Sequence, residues 1–527
     1  MEENEMSLLN IIMLIILACA IISNIALTVL VAKKKEQEGN AFKVSLAVCM
    51  IVTVGSLSYL SVAAATGTLM PAKVVTAFNP DMNGYYENIE SDSGDIYTGE
   101  FVAGYYDGEG KITYTDGSTY EGEWKEGKRH GAGIYTSRFG WTYTGQFFED
   151  IKCGQGVCTF ADKSVYDGKW DEDMPNGQGK YTAADGSVVE GVWTDGEKNG
   201  KAIKTYTDGS VYSGEWSSNL PNGSGTYTSS EGWVYIGQFQ DGLKSGEGEI
   251  VYSDGSSYTG SWKSDLKAGQ GSQVYADGST YIGSWSNNKE NGQGTLKSAE
   301  GWCYTGSFEN GARKGEGILT YKDGSVYTGT FKNNLPNGTG TFKHAEGWNY
   351  VGEWVQGQRS GEGTYTYANG SQYVGMWSNN KENGKGKYTD ASGWNYDGEW
   401  KDGVRCGYGK YTYADGSIYE GNWLDNRENG QGKHVDASGW SYTGEWKNGL
   451  RHGKGKIVYK DTSYYEGDWV NNLKQGQGTH TYFDETGKLF GTYVGAFSAD
   501  KRNGEGTFTY ENGYVQTGTW KNDNFIE

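Results

Sequence analysis

The chain changes its hydrophobic rhythm twice. Residues 7–32, SLLNIIMLIILACAIISNIALTVLVA, carry no charge across 26 positions. A helix of that length, rising about 1.5 Å per residue, crosses a hydrocarbon layer roughly 30 Å thick. Residues 44–70 form a second uncharged run. The pattern predicts two transmembrane α-helices, 7–32 and 44–70, joined by a basic loop, 33–43, that holds Lys33, Lys34, Lys35 and Lys43. A polar linker, 71–96, follows, and from residue 97 a period of two takes over. Tyr396, Gly398 and Trp400 lie two apart, on one face of a strand; Gly407, Gly409, Tyr411 and Tyr413 do the same on the next. Asp-Gly at 402–403 and again at 415–416 supplies the tight turns, so the unit reads as a β-hairpin.

That hairpin recurs. Aligned on Tyr97, repeats begin every 23 residues at Tyr120, Tyr143, Tyr166, Val189 and so on to Tyr465. One step of 28 residues, in which FDETGKLFGT is expected to lengthen a turn, leads to Tyr493, and a last step of 23 reaches Gln516 and a half repeat. Eighteen repeats and a fragment at a strict period mark a stacked array spanning 97–527. Position 3 is Gly in every unit, and position 5 is Trp in 13 units and Phe in 6. A ring as large as Trp needs floor space, and a facing Gly has no Cβ to exclude it. Val189 and Ala202 break the consensus in the fifth unit, which is therefore expected to be the weakest joint.

The unit Y-x-G-x-W, six variable residues, then G-x-G and a D-G-S turn resembles the MORN (membrane occupation and recognition nexus) repeat over residues 97–527. The resemblance implies an all-β array: an elongated, twisted antiparallel sheet of about 18 stacked β-hairpins, here preceded by the two membrane helices. It also implies membrane association, phospholipid contact and protein assembly; no enzymatic activity is expected, because the spans, linker and repeats leave no segment to house a catalytic domain.

Six further tryptophans, Trp141, Trp233, Trp302, Trp348, Trp394 and Trp440, stand at position 22, where other units have Ser. Parity places them on the face of Tyr396 and Trp400. They either thicken the aromatic core or form an exposed row whose regular spacing suits a polymer-binding groove.

Composition narrows the rest. The chain has 84 Gly and 41 Tyr in 527 residues, and a formal net charge of -20, which argues against nucleic acid as a partner. Residues 1–70 hold four Lys and five Glu, so the remainder keeps -19 and repels anionic headgroups. The five His are scattered over repeat positions that other units fill with Asn, Tyr or Ser, so neither a metal site, a cofactor nor a catalytic set is expected. The basic loop predicts a cytoplasmic loop with both tails outside, giving a plasma-membrane protein with an extracytoplasmic array. A cytoplasmic array is the alternative, favoured by the lack of any disulfide framework. A competing reading takes 33–65 as an internal signal sequence cleaved near VAAA, residues 62–65. The functional expectation is a membrane-anchored scaffold for protein partners, with glycan or lipid as further candidates. The alternative is an extracellular, adhesin-like binder of cell-wall glycan that uses its aromatic rows.

Overall fold

The computed structural model describes residues 81–527. Regular structure there is entirely β, 39 strands from Gly84–Glu90 to Asn524–Phe525. Among the described residues no helix is long and apolar enough to cross a membrane. The expected helices at 7–32 and 44–70 and the loop 33–43 lie outside the described residues. The chain falls into two compact units, one ending at Ser230 and one beginning at Glu231. Within each, consecutive strands pair antiparallel in a meander, with Tyr120 opposite Tyr135 in the first and Tyr396 opposite Tyr411 in the second.

One repeat explains the rest. Asn395–Lys401 and Val404–Thr412 form its hairpin. Asp402 and Gly403, at φ of 51° and 85°, make the left-handed two-residue turn that matches strand twist. The connection to the next repeat is closed by Tyr413 N–H donating to Ser417 O at 2.8 Å, while Asp415 Oδ1 accepts Ser417 N–H at 2.8 Å.

Tyr396 is fully buried although the sheet is a single layer, because its ring lies flat on glycine. A Cβ built on Gly409 would stand 2.5 Å from Tyr396 Cζ, and one on Gly398 would stand 2.5 Å from its hydroxyl. That hydroxyl donates to Glu399 O at 3.1 Å. The glycine floor therefore carries the tyrosine, where size alone had pointed to tryptophan. Trp400 stands edge-on to Tyr396 at 5.2 Å and to Tyr373 at 5.3 Å, and its Nε1 donates to Gly386 O at 3.0 Å. Such edge-to-face contacts add about 1 kcal/mol each beyond area burial.

Gly407 has a different task. The ladder carries a bulge opposite Gly398 and Glu399, and Gly407 sits there at φ +57°, in the left-handed region. A Cβ on it would point at Glu399 Cδ, 2.7 Å away, and not at the tyrosine. Counting by twos, which groups Gly407 with Gly409, fails at the bulge.

Three further differences follow from local chemistry. The strand Gly84–Glu90, inside the segment read as linker, pairs with Ile96–Val102 and covers the first edge of the array. The five extra residues of the long repeat, expected to lengthen a turn, instead lengthen two strands, Leu473–Phe483 and Leu489–Ser498, with Tyr482 opposite Gly491. They leave a connection of ordinary length, closed by Asp484 N–H donating to Lys488 O at 2.9 Å. In the fifth repeat, Val189 and Ala202 are both buried, with Ala202 opposite Gly191. Without a tyrosine ring on the floor, the Ala202 methyl has room.

Candidate interaction face

Positions 1, 5, 10, 16, 18 and 22 put their side chains on one face of the sheet. The opposite face carries exposed cross-strand pairs such as Lys456–Glu466 at 3.2 Å and Lys180–Glu190 at 3.1 Å, which contribute little to stability.

All six tryptophans of position 22 are withdrawn from solvent, Trp141 fully and the others by half. Trp141 packs on Tyr135 at 5.0 Å and under Lys152 Nζ at 5.5 Å. Trp233 lies under Lys244 Nζ at 5.4 Å, and Trp302 under the Arg313 guanidinium at 5.2 Å. Trp348 is stacked between His344 at 4.5 Å and Tyr365 at 5.2 Å, within 21° of parallel on both sides. Trp394 is stacked between Tyr388 at 4.9 Å and Tyr411 at 5.2 Å. Trp440 stacks on His434 at 4.9 Å and lies under Arg451 at 5.8 Å. Neighbouring rings thus take both faces of Trp348 and Trp394 and leave their edges to solvent.

From Phe342 to Trp440 these stacks join. Trp348 leads to Tyr365, Tyr367, Tyr388, Trp394, Tyr411, Tyr413 and His434, with successive centroids 4.5 to 5.7 Å apart. Every ring in this ribbon is half-buried.

Beside it runs a charged row that counting aromatics missed, at position 10. Arg359, Arg405 and Arg451 alternate with Glu382 and Glu428. Arg405 lies over Tyr396, Tyr411 and Trp423 at 5.6, 5.2 and 4.7 Å, and its Nη2 donates to Asn426 O at 3.1 Å. Arg359 repeats this over Tyr350, Tyr365 and Trp377 at 5.8, 4.8 and 4.4 Å. Each such cation–π contact is worth about 0.5–2 kcal/mol, more as water is excluded. Glu382 accepts from the Tyr367 hydroxyl at 3.2 Å and Glu428 from Tyr413 at 3.0 Å. The signal was legible: Arg313, Arg359, Arg405 and Arg451 are spaced 46 residues apart, two repeats.

Burial shifts several titrating groups on this face. Burial pushes the hydroxyls of Tyr281, Tyr304 and Tyr350 up to about 12, far from the range of a working base. It also lowers His434, and it lowers Lys198, in the first unit, to about 8. Among the described residues, no group of three or more His, Cys, Asp or Glu is placed to hold a metal.

Compared with known families, the chain matches the MORN repeat at eighteen consecutive stretches, the first at residues 97–119 and the last at 493–513. No curated protein matches the chain significantly. Among solved structures it is similar to the wild-type TCP10 domain of Danio rerio CPAP, at 14% identity and a TM-score of 0.23, covering 37% of this chain and 93% of that one. It is also similar to the Drosophila melanogaster SAS-4 TCP domain in complex with a proline-rich motif of Ana2, at 12% identity and 0.20, covering 34% and 90%. Staphylococcus aureus virginiamycin B lyase matches at 12% identity and 0.10, covering 56% and 94%. At these scores the three likenesses carry no inference about partners or activity.

Proposed function

The chain belongs to the MORN-repeat family, and from that premise we propose that it is a membrane-anchored, non-enzymatic scaffold presenting the aromatic face of its array to protein partners. The observation that carries the reading is the ribbon of half-buried rings from Phe342 to Trp440, flanked by charged side chains. Aromatic rings and arginine are the side chains that protein interfaces concentrate. The uncharged runs at 7–32 and 44–70 supply the anchor, and the basic loop between them favours an extracytoplasmic array.

Glycan capture, the alternative, has weaker support. A sugar stacks on an open ring face, and on Trp348 and Trp394 those faces hold other rings. Attachment of the array to anionic lipid is opposed by the -19 charge of residues 71–527.

A photo-crosslinking side chain at Trp394, compared in native membranes with one at Lys410 on the opposite face, tests the scaffold. Protein adducts are expected from position 394 and few from 410. Equal labelling, or none, rejects the reading. Protease protection of a C-terminal tag on intact cells would reverse the orientation.

A further inference from the structure

We infer that two cages on the aromatic face, built around Glu382 and Glu428, bind arginine side chains of an extended basic protein segment. The inference rests on the scaffold reading and names its partner's chemistry.

The repeats themselves show what the cage holds. Wherever position 10 is arginine and position 16 is a ring, the guanidinium lies over three rings: position 1 and position 16 of its own repeat, and position 5 of the next. Arg405 does so on Tyr396, Tyr411 and Trp423, and Arg359 on Tyr350, Tyr365 and Trp377. The repeats between them keep the same walls. Glu382 has Tyr373, Tyr388 and Trp400 at the three positions, and Glu428 has Tyr419, His434 and Trp446. A carboxylate now stands where the flanking repeats place a cation. It is too short to lie across the rings as a guanidinium does.

Exposure records the difference. Trp377, Trp423 and Trp469, each beneath an arginine, keep 3%, 5% and 2% of their surface. Trp446, beside Glu428, keeps 9%, and Trp400, beside Glu382, is only partly buried.

The carboxylates are also aimed. Tyr367 and Tyr413 hold them by hydrogen bonds of 3.2 and 3.0 Å, and the Gly403 and Gly449 amides hold their backbone carbonyls at 2.9 Å. A fixed carboxylate beside the partly exposed rings Tyr388, Trp400 and His434 recognises a planar cation by charge and by stacking together. Arginine is named over lysine because the four repeats spaced two apart in this tract, Arg313 to Arg451, carry a guanidinium, and a planar cation stacks on rings. Lysine takes position 10 in other repeats, such as Lys244 over Trp262 and Lys267 over Trp285. The charge of -19 carried by residues 71–527 steers such a partner inward.

Spacing sharpens the prediction. Glu382 and Glu428 are 46 residues apart, which is four strands, or about 19 Å at about 4.8 Å per strand. An extended segment rises about 3.3 Å per residue, so arginines six apart reach both cages, and an even separation keeps them on one side of the segment.

The test uses the full-length protein in detergent micelles and fluorescein-labelled peptides read by anisotropy. One peptide carries two arginines six apart in a Ser/Thr background, and its control has both replaced by glutamine. The arginine peptide is expected to bind at least tenfold more tightly. Glu382→Gln with Glu428→Gln should erase that preference, while Glu420→Gln with Glu466→Gln on the opposite face should keep it. Glu382→Arg with Glu428→Arg copies the flanking repeats, so the fold is kept, and should abolish binding by filling both cages. Equal binding of the two peptides, binding of neither, or a preference that survives the double glutamine variant overturns the cages. If crosslinking from position 394 persists in any of those cases, the scaffold stands and only the arginine assignment falls.

Discussion

The fifth repeat, around Val189 and Ala202, and the fourteenth, around Tyr396 and Gly409, keep the same strands by opposite means. In the fourteenth, a tyrosine ring lies on bare glycine backbone. In the fifth, the ring is gone and a methyl group fills the floor: a Cβ on Gly191 would stand 2.6 Å from Ala202 Cα. The next repeat's tryptophan is seated alike in both, Trp216 Nε1 on Ala202 O at 3.2 Å and Trp423 Nε1 on Gly409 O at 3.1 Å. The inner layer is thus a coupled pair, ring with glycine or small side chain with alanine. The outer layer, at positions 10, 16, 18 and 22, is free to vary, and binding chemistry is written there.

The largest expected effect comes from mixing the two solutions. Gly409→Ala should destabilise its part of the array by about 3 kcal/mol through overpacking against Tyr396. Adding Tyr396→Val should recover part of that loss, and a double-mutant cycle followed by urea unfolding measures the coupling. If the two changes prove additive, the pairing is refuted. The converse pair, Val189→Tyr with Ala202→Gly, should be more stable than Val189→Tyr alone, and with the ring restored should exceed wild type by about 1 kcal/mol.

The outer layer gives a smaller, pH-dependent effect at His480, which takes the place that Phe508 and Tyr411 hold in other repeats. Burial, aided by Lys474 and Arg502, lowers its pKa to about 3 from an ordinary 6.5. The unfolded chain then binds a proton that the folded one refuses. Stability contributed there is present above pH 6.5 and falls as pH drops toward 3, by about 2 kcal/mol after allowing for relaxation. Thermal melts between pH 7 and pH 4 should show a steeper fall for the wild type than for His480→Phe; parallel curves would assign the acid sensitivity elsewhere.

The smallest effect is local. Arg405→Gln removes the lid over Trp423 at a cost of about 1 kcal/mol. Acrylamide should then quench the protein's fluorescence more readily, whereas Lys410→Gln on the opposite face should leave quenching unchanged.

The hairpins, their turns and the shared face of Tyr396 and Trp400 were legible because strand parity and Asp-Gly turns are local. The role of Gly407 was not, since a bulge changes the count without changing residue types. Which ring occupies the glycine floor also escaped, because it depends on cross-strand register: Gly409 lies opposite Gly398 and Gly421 at once. The cages escaped for another reason. Glu382 and Arg405 look like ordinary surface charges until the fold sets both among rings.

The bonds that join one hairpin to the next reach back only a short way along the chain. Asn426 Oδ1 accepts from the Arg405 amide 21 residues earlier, and even across the long repeat Asp500 accepts from Lys474 only 26 residues back. A chain emerging from the ribosome therefore needs little more than its newest two dozen residues to complete each step. Synthesis and folding can advance together, one hairpin at a time, without waiting for a distant terminus.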